Sequence, residues 1–163
     1  MFTAAAEGDI ELIQQLITEE NVNEKDERDN TVLYYAVMFN QLETARLLLN
    51  LKADPLIKCR NGLTALHSAA ENGNEKILKL LTKDFDDGFD FDTIVNNNQS
   101  SLIHSAAYGI IQGNHNCWNV IRWLINRDAN PFLENDLKRT PRNILSEYTD
   151  LYDDILESLG CYI

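Results

Sequence analysis

Two short helices separated by a glycine are predicted by the hydrophobic pattern of residues 61–81, which read NGLTALHSAAENGNEKILKLL. The pair Asn61-Gly62 suits a tight turn because both residues tolerate positive φ, and Thr64 can cap the helix that follows. Gly73 can end that helix in the left-handed conformation. The second helix then carries its apolar residues on one side: Ile77, Leu78, Leu80 and Leu81. This segment predicts a helix hairpin with one apolar side.

The same pattern recurs along the chain. Counted from His67, the corresponding residue lies 33 places earlier at Tyr34 and 37 places later at His104, and the next lies a further 39 places on at Asn143. One helix hairpin cannot bury its apolar side alone, so hairpins repeated at such a period stack on their neighbours. We therefore expect five consecutive helix pairs, of which the first and the last cap the ends.

The recurring start of each copy has a distinctive form. Thr64, Leu66, His67 and Ala69 make a T-x-L-H-x-A start, and Thr140-Pro141 opens the last copy. A period of about 33 residues with such starts resembles the ankyrin repeat. The resemblance covers nearly the whole chain. It implies an all-α ankyrin-repeat solenoid of stacked helix-turn-helix units with β-hairpin-like finger loops, in about three full repeats plus two capping repeats.

The repeat alignment divides one expected domain, residues 1–163, into five parts. These are an N-terminal capping repeat (2–26), a second repeat (27–58), a third repeat (59–97), a fourth repeat (98–135) and a C-terminal capping repeat (136–163). The third repeat has a surplus in an acidic, aromatic loop at 84–92. The fourth has an insertion at 109–116, which either lengthens its first helix or adds a loop.

Several local features follow from this alignment. The first repeat should contain helices at about 2–7 and 10–17. In the second repeat, Asp29 takes the usual place of the turn glycine and Asn40 the place of the helix stop, and both tolerate the required geometry. The last helix should turn four residues inward: Leu151, Ile155, Leu156 and Leu159.

Charge and composition narrow the classes of partner. The formal net charge is −12, from 14 Lys plus Arg against 26 Asp plus Glu, so the surface should repel nucleic acid and anionic membranes. A protein or peptide of basic character fits better. The three cysteines have no zinc-site spacing, which favours a reducing compartment. No secretory signal or membrane-spanning stretch is recognisable, and we expect a cytoplasmic monomer.

Candidate catalytic or metal-binding residues are few. His67 and His104 occupy the T-x-L-H position, which the resemblance assigns to hydrogen bonds with turn backbone rather than to catalysis. His115 and Cys117 lack further ligands at suitable spacing. The alternate aspartates of loop 84–92 resemble a calcium loop, but Val95 stands where a bidentate glutamate is needed. We therefore expect no enzyme activity, no cofactor and no metal.

The resemblance implies a partner-binding surface instead. In ankyrin-like stacks the turn tips and the exposed side of each first helix line a concave groove. The positions that correspond here are Arg28, Met38, Phe39, Arg60, Leu63, Glu71, Asn72, Asn98, Tyr108 and Tyr148. We expect a groove with an apolar middle and an acidic border, because aromatic and methionine side chains are typical of interface cores. The alternative is that Phe39 and Tyr148 fold back to fill gaps in the core.

Three classes of function follow. The first is a non-enzymatic protein-interaction module that holds a partner in the groove, similar in size to small ankyrin-type kinase inhibitors or to ankyrin effectors that intracellular bacteria deliver into the host cytosol. The acidic stretch 147–157 before the apolar end 161–163 suits an effector but equally suits a helix cap. The second is an assembly subunit that docks through the convex face or through loop 84–92. The third, an enzyme, would need a deep polar pocket.

Overall fold

The computed structural model describes residues 1–86 and 88–161. Within these residues there are ten α-helices, two single-turn 3-10 segments and no sheet. The nearest feature to a strand is an isolated antiparallel bridge between Lys25 and Thr31 in the first finger loop. The predicted all-α fold is confirmed. Asp87 of the acidic loop, and Tyr162 and Ile163 of the apolar end, lie outside the described residues.

The helices follow one another in pairs. In chain order they are α1 (Phe2–Glu7), α2 (Ile10–Leu16), α3 (Val32–Met38), α4 (Leu42–Asn50), α5 (Ala65–Glu71), α6 (Glu75–Leu81), α7 (Leu102–Ile111), α8 (Cys117–Ile125), α9 (Pro141–Ile144) and α10 (Thr149–Ser158). The 3-10 segments are Arg60–Gly62 and Phe91–Thr93. Each repeat of the sequence alignment thus contains one helix pair, and α1 and α2 agree with the helices predicted for the first repeat.

The chain divides into two compact units. Unit 1 comprises Met1–Ala69 and Lys76–Phe85, and unit 2 comprises Ala70–Glu75 and Asp86–Ile163. In unit 1, α3 packs against both α1 and α4, and α2 packs against α1 and α4. Small residues such as Ala5 and Ala36, both fully buried, permit this close approach, while Leu48 fills the space beside them.

Unit 2 is built around α7. This helix packs against α8 and α9, and α10 packs against α9. One prediction is wrong in α10: Leu151 does not turn inward but is 44% exposed. Tyr152 is fully buried in its stead, and its hydroxyl donates a hydrogen bond to the carbonyl oxygen of Pro131 at 3.0 Å. A buried phenol needs such a partner, and this bond ties the last helix to the preceding loop.

Left-handed backbone occurs where the repeats require it. The helix stops Asn40 and Gly73 have φ of 61° and 63°, and the turn position is left-handed in Asp29 (66°) and in Asn61-Gly62 (60° and 73°), as predicted. Gln99 and Lys138 hold the same turn position in the later fingers, with φ of 54° and 56°. These two residue types are uncommon there, because a Cβ atom disfavours this region.

The insertion in the fourth repeat lengthens a helix. Helix α7 has 10 residues, whereas α3 and α5 each have 7. Its added turn contains Gly109, which is buried against the backbone carbonyl of Glu71 and the sulfur of Cys117. Of the two possibilities left open by the sequence, the lengthened helix is the one observed.

Candidate functional site

An open pocket in unit 1 gathers part of the predicted partner-binding set. It has a volume of about 330 Å³ and is lined by Arg28, Asn30, Tyr34, Tyr35, Met38, Arg60, Asn61 and Leu63. Four of the ten predicted residues, Arg28, Met38, Arg60 and Leu63, line it together. They come from the tips of the first two finger loops and from α3. We call this the unit-1 pocket.

The first finger loop is held in place by one carboxylate. Oδ1 of Asp26 accepts hydrogen bonds from the backbone amides of Arg28 at 3.0 Å and Asn30 at 2.9 Å. Its Oδ2 accepts a hydrogen bond from the Tyr35 hydroxyl at 2.8 Å. Burial would raise the pKa of Asp26, but the hydrogen bonds donated by Asn30, Tyr35 and Arg28 outweigh it and leave this pKa below its usual value. The ionised carboxylate therefore fixes the loop tip that carries Arg28.

Two large exposed apolar side chains stand at the end of α3, and the first of them, Met38, lines the pocket together with Arg28. Thr31 caps the helix by accepting a hydrogen bond from the Tyr34 amide at 3.2 Å. The core side of α3 is formed by buried Leu33, Ala36 and Val37. Met38 and Phe39, at the end of the helix, are therefore turned away from the core and remain 48% and 51% exposed. Half of the Phe39 surface is free, so this ring does not fill a core gap.

The second finger loop completes the pocket. Its 3-10 turn at Arg60–Gly62 contains Asn61 in the left-handed conformation, and this turn positions Arg60 and Leu63. The backbone amide of Arg60 donates a hydrogen bond to Oδ1 of Asn30 at 3.4 Å. Asn30 is buried and so links the two finger loops directly. The two loop tips are thereby held in one arrangement.

The charge of the unit-1 pocket is opposite to that of the chain as a whole. Its charged lining residues are Arg28 and Arg60, and neither guanidinium makes an ion pair within the described residues. No Asp or Glu occurs between Asp54 and Glu71, so the second finger loop is purely basic. The lining itself therefore contains no acidic residue, whereas Asp26, Glu27 and Asp29 flank Arg28 in the first finger loop, and the acidic border stays a prediction. The net charge of the chain does not indicate that the charged residues lining this pocket are both arginines.

The other predicted residues outside the pocket lie in unit 2, apart from Phe39. Glu71 accepts a hydrogen bond from the Gln112 side chain at 3.0 Å, and the Asn72 carbonyl accepts one from Asn114 at 2.7 Å. Both groups thus support the lengthened α7 and its following turn. The Asn98 side chain is exposed, and Tyr108 is half-buried on α7.

Tyr148 belongs to an aromatic group in unit 2. Its ring lies edge-on to the rings of His115 and Trp118, with centroid distances of 6.0 and 6.3 Å. It also lines a second pocket, of about 290 Å³, with Ile111, Ile144, Ser146 and Glu147. Much of the Tyr148 ring is therefore occupied by contacts within unit 2.

His67 and His104, which occupy the T-x-L-H position of their repeats, have a structural role. Nδ1 of His67 lies 3.1 Å from the Thr64 amide, and Nδ1 of His104 lies 3.2 Å from the Ser101 amide. Since Nδ1 of His104 accepts, its proton is on Nε2, which donates to the carbonyl oxygen of Arg139 at 2.9 Å. Burial lowers the pKa of His104 and keeps the ring neutral, although the bond to Arg139 opposes this. The predicted bond from His104 to finger backbone is confirmed.

Residues 89–92 of loop 84–92 are anchored within unit 2. Phe91 is buried, and its ring lies edge-on to Phe89 at 5.1 Å and to Trp123 at 5.7 Å. The Arg127 guanidinium stands 5.4 Å from the centre of the Phe91 ring. Asp92 accepts hydrogen bonds from the Asn130 amide at 2.9 and 3.1 Å. Of the three phenylalanines in the loop, Phe91 is thus buried by packing within unit 2.

Sequence reasoning missed the residues that hold the finger loops. Asp26, Asn96 and Asn135 each use Oδ1 to accept two backbone amides of the following turn. Cys59 stands at this position in the third repeat. An Asp or Asn five residues before Thr31, Ser101 and Thr140 was a signal for this, because such side chains commonly bond the backbone two residues ahead. Asn30 and Tyr34 were also absent from the predicted set.

Comparison with known families identifies the fold. A family model described as ankyrin repeats in three copies matches residues 1–94. The chain belongs to the ankyrin-repeat family. The helix pairs, the left-handed helix stops and the histidine bond to finger backbone in this ankyrin-repeat chain agree with that assignment.

Similar curated proteins come from animals, bacteria and plants. The human transient receptor potential cation channel subfamily A member 1 is 37% identical over 81 residues, which is 48% of this chain and 7% of the channel. Protein PhlB of Serratia liquefaciens is 36% identical over 78 residues, or 48% of this chain and 34% of PhlB. ACCELERATED CELL DEATH 6 of Arabidopsis thaliana is 39% identical over 69 residues, or 40% of this chain and 10% of that protein. The chain therefore spans only a minor part of each of these relatives.

Ankyrin repeats are in general protein–protein interaction modules, and the family is typically non-enzymatic. None of the helices in residues 1–86 and 88–161 is both long and apolar enough to cross a bilayer. The described residues also contain no cluster of three or more His, Cys, Asp or Glu that could hold a metal ion.

We expect replacement of Asp26 to destabilise the first finger loop in a pH-dependent way. Asp26→Ala should lower the free energy of unfolding by about 1 kcal/mol at pH 7, because two amides lose their acceptor. Asp26→Asn should cost less, since asparagine serves at Asn96 and Asn135. The folded pKa of Asp26 is lowered, so the ionic part of its contribution is present above the unfolded pKa of about 3.9 and is lost as pH falls through the folded value.

Urea unfolding of the chain, Asp26→Ala and Asp26→Asn at pH 7 and at pH 3 measures this effect. The stability gap between the chain and Asp26→Asn should narrow at the lower pH. A gap that stayed constant or widened on acidification would contradict the role of the ionised carboxylate.

Proposed function

We propose that this ankyrin-repeat chain binds a partner protein through the unit-1 pocket and the adjoining Phe39, without chemical turnover. The observation that carries the proposal is the exposure of Met38, which lines the pocket with two finger tips that hydrogen bonds hold in place, and of Phe39, the next residue in the chain. Large apolar side chains left uncovered by the fold are typical of interface centres. A prearranged backbone also lowers the ordering cost of binding.

The other predicted residues have a smaller part in the proposal. Glu71 and Asn72 are engaged in hydrogen bonds within unit 2, and the Tyr148 ring lies edge-on to His115 and Trp118 there. Asn98 and Tyr108 stay predictions as partner contacts. An enzyme function has no support from the pocket, because its lining contains no carboxylate, histidine or cysteine that could act as base or nucleophile.

Finer features of the function rest on the sequence alone. A basic character of the partner follows from the net charge of −12, which would attract a basic protein at long range. The monomeric state, the cytoplasmic location and the role of a bacterial effector in host cells also stay predictions. The similar proteins come from animals, a plant and a bacterium, so they do not favour a bacterial effector over the other roles. Docking through loop 84–92 has less support than pocket binding, because Phe91 is buried.

The test is loss of binding without loss of fold. The double variant Met38→Ala/Phe39→Ala should reduce the amount of partner that co-purifies from lysate at least ten-fold, measured by quantitative mass spectrometry, because the apolar centre of the interface is removed. Its helical circular dichroism should match that of the unmodified chain, since both side chains lie outside the core.

The matched control is Leu12→Ala/Leu16→Ala on α2. These leucines are also exposed and belong to unit 1, but neither lines the unit-1 pocket. The control should retain full partner recovery. Equal recovery with the Met38/Phe39 variant, or a greater loss with the α2 control, would remove the proposed assignment.

A further inference from the structure

The unit-1 pocket combines two cations with apolar walls. Arg28 stands on the first finger tip and Arg60 on the second, and Met38 and Leu63 line the space with them. Both arginines are exposed at their tips, and neither makes an ion pair in the part of the chain that the structure describes. In a chain with 26 acidic residues against 14 basic ones, unpaired arginines in one pocket call for a physical account.

Two of the three carboxylates that flank Arg28 in the chain already have other partners. Asp26 is occupied by the amides of its own turn and by the Tyr35 hydroxyl, and it affects Arg28 only through space. Asp29 is paired with Lys25 at 2.9 Å. The second finger loop has no acidic residue at all. Glu27, the residue before Arg28, is exposed, but it neither lines the pocket nor makes an ion pair in the described part of the chain. Within the described residues, therefore, no acidic side chain pairs with Arg28 or Arg60.

Like charges that share a pocket repel each other, and a bound anion removes this repulsion. A guanidinium also presents a planar set of N–H donors that matches a carboxylate and can bond it with two parallel hydrogen bonds. The adjacent apolar surface of Met38, Phe39 and Leu63 suits an aliphatic or aromatic side chain. The two chemistries lie side by side in one pocket.

Resting on the proposed function, we infer that the occupant of the unit-1 pocket is a partner peptide segment in which an aspartate or glutamate lies next to an aliphatic or aromatic residue. The carboxylate binds Arg28 and Arg60, and the apolar side chain packs on Met38 and Phe39. The global charge and the local site then act at different ranges. The acidic surface sets the long-range attraction, and the pocket selects the contacting segment.

Panning a phage library of random 12-residue peptides on the full chain tests this chemistry. Enriched peptides should carry Asp or Glu within two positions of Leu, Ile, Phe or Trp. The best of them, made with a fluorescein label, should bind with a Kd that rises about ten-fold in Arg60→Glu and in Arg28→Glu by fluorescence anisotropy. Lys58→Glu is the control, because it makes the same charge change in the second finger loop at a residue that does not line the pocket.

Charge exchange gives a second readout. Replacing the acidic residue of the peptide with lysine should abolish binding to the unmodified chain and restore binding to Arg60→Glu. Enrichment of peptides without acidic residues, or a Kd equal in Arg28→Glu, Arg60→Glu and Lys58→Glu, would overturn the inference.

The same assay separates this inference from the proposed function. Peptides that lose affinity in Met38→Ala/Phe39→Ala but not in the arginine variants would refute the acidic occupant and leave the unit-1 pocket as the binding site. Peptides insensitive to both sets of variants, or no enriched peptide, would count against both.

Discussion

Replacing His104 with alanine is expected to lower the free energy of unfolding by about 3 kcal/mol. The imidazole is fully buried, so its removal leaves a cavity in α7. Its Nδ1 lies 3.2 Å from the Ser101 amide and 2.9 Å from the Ser101 hydroxyl, and its Nε2 donates to the Arg139 carbonyl at 2.9 Å. The substitution therefore removes the histidine's half of the α7 capping box and the link to the last finger loop together.

His104→Asn separates the two effects. Asn143 holds the same place in the next repeat, where its Oδ1 accepts from the Thr140 amide at 3.0 Å. Asparagine at 104 can make this capping bond but is too short to reach Arg139, so we expect about half of the alanine effect. Urea denaturation of both variants measures the difference. A loss below about 1 kcal/mol for His104→Ala would contradict the proposed double role.

Gly109→Ala should destabilise the chain by about 3 kcal/mol, although alanine is intrinsically the better helix former by about 1 kcal/mol. A Cβ atom at this position would lie 2.6 Å from the sulfur of Cys117 and would overlap the backbone carbonyl of Glu71. The thiol cannot easily move aside, because it is buried and donates to that same carbonyl at 3.2 Å. Burial, the larger cause, and the negative charge of Glu71 together raise the pKa of Cys117 to about 11, so the thiol keeps its proton.

A double variant checks this steric account. Gly109→Ala/Cys117→Ala removes the sulfur but leaves the carbonyl in place, so it should be more stable than the two single effects added together. Thermal unfolding followed by circular dichroism measures all four members of the cycle. If Gly109→Ala alone were as stable as the unmodified chain, α7 could not lie as close to Glu71 as the structure shows.

Helix positions and chain reversals could be predicted from the sequence because they depend on local physics. The helices of the first repeat follow from Asp9 and Gly8 as start and stop signals and from the spacing of Ile13 and Ile17. The left-handed residues at Asn40 and Gly73 follow from residue types that tolerate positive φ. Such features involve residues only a few places apart.

Burial in α10 could not be read from apolar residues alone. Leu151 and Tyr152 are adjacent, but Tyr152 shares the buried side of the helix with Ile155 and Leu156, three and four residues on, whereas Leu151 does not. The hydroxyl of Tyr152 reaches the Pro131 carbonyl, 21 residues away, and this bond permits burial of the larger side chain. The spacing of Tyr152 with Ile155 and Leu156 was a usable signal, but tyrosine was not counted among the apolar residues.

The sequence by itself determined the repeat family, the helix pairs and the turn positions from which Arg28, Met38, Arg60 and Leu63 project. Only the tertiary structure decided that these four line one pocket and that Asn30 links the two finger loops. It also showed that, among residues 1–86 and 88–161, neither guanidinium group of the pocket has an ion pair. The physical reason is the separation along the chain of the residues that interact. Helix formation and turn geometry depend on neighbours along the chain, whereas a charged pocket depends on which distant side chains are brought together and which are already paired. The net charge of the sequence sums paired and unpaired charges alike, so it does not locate such a pocket.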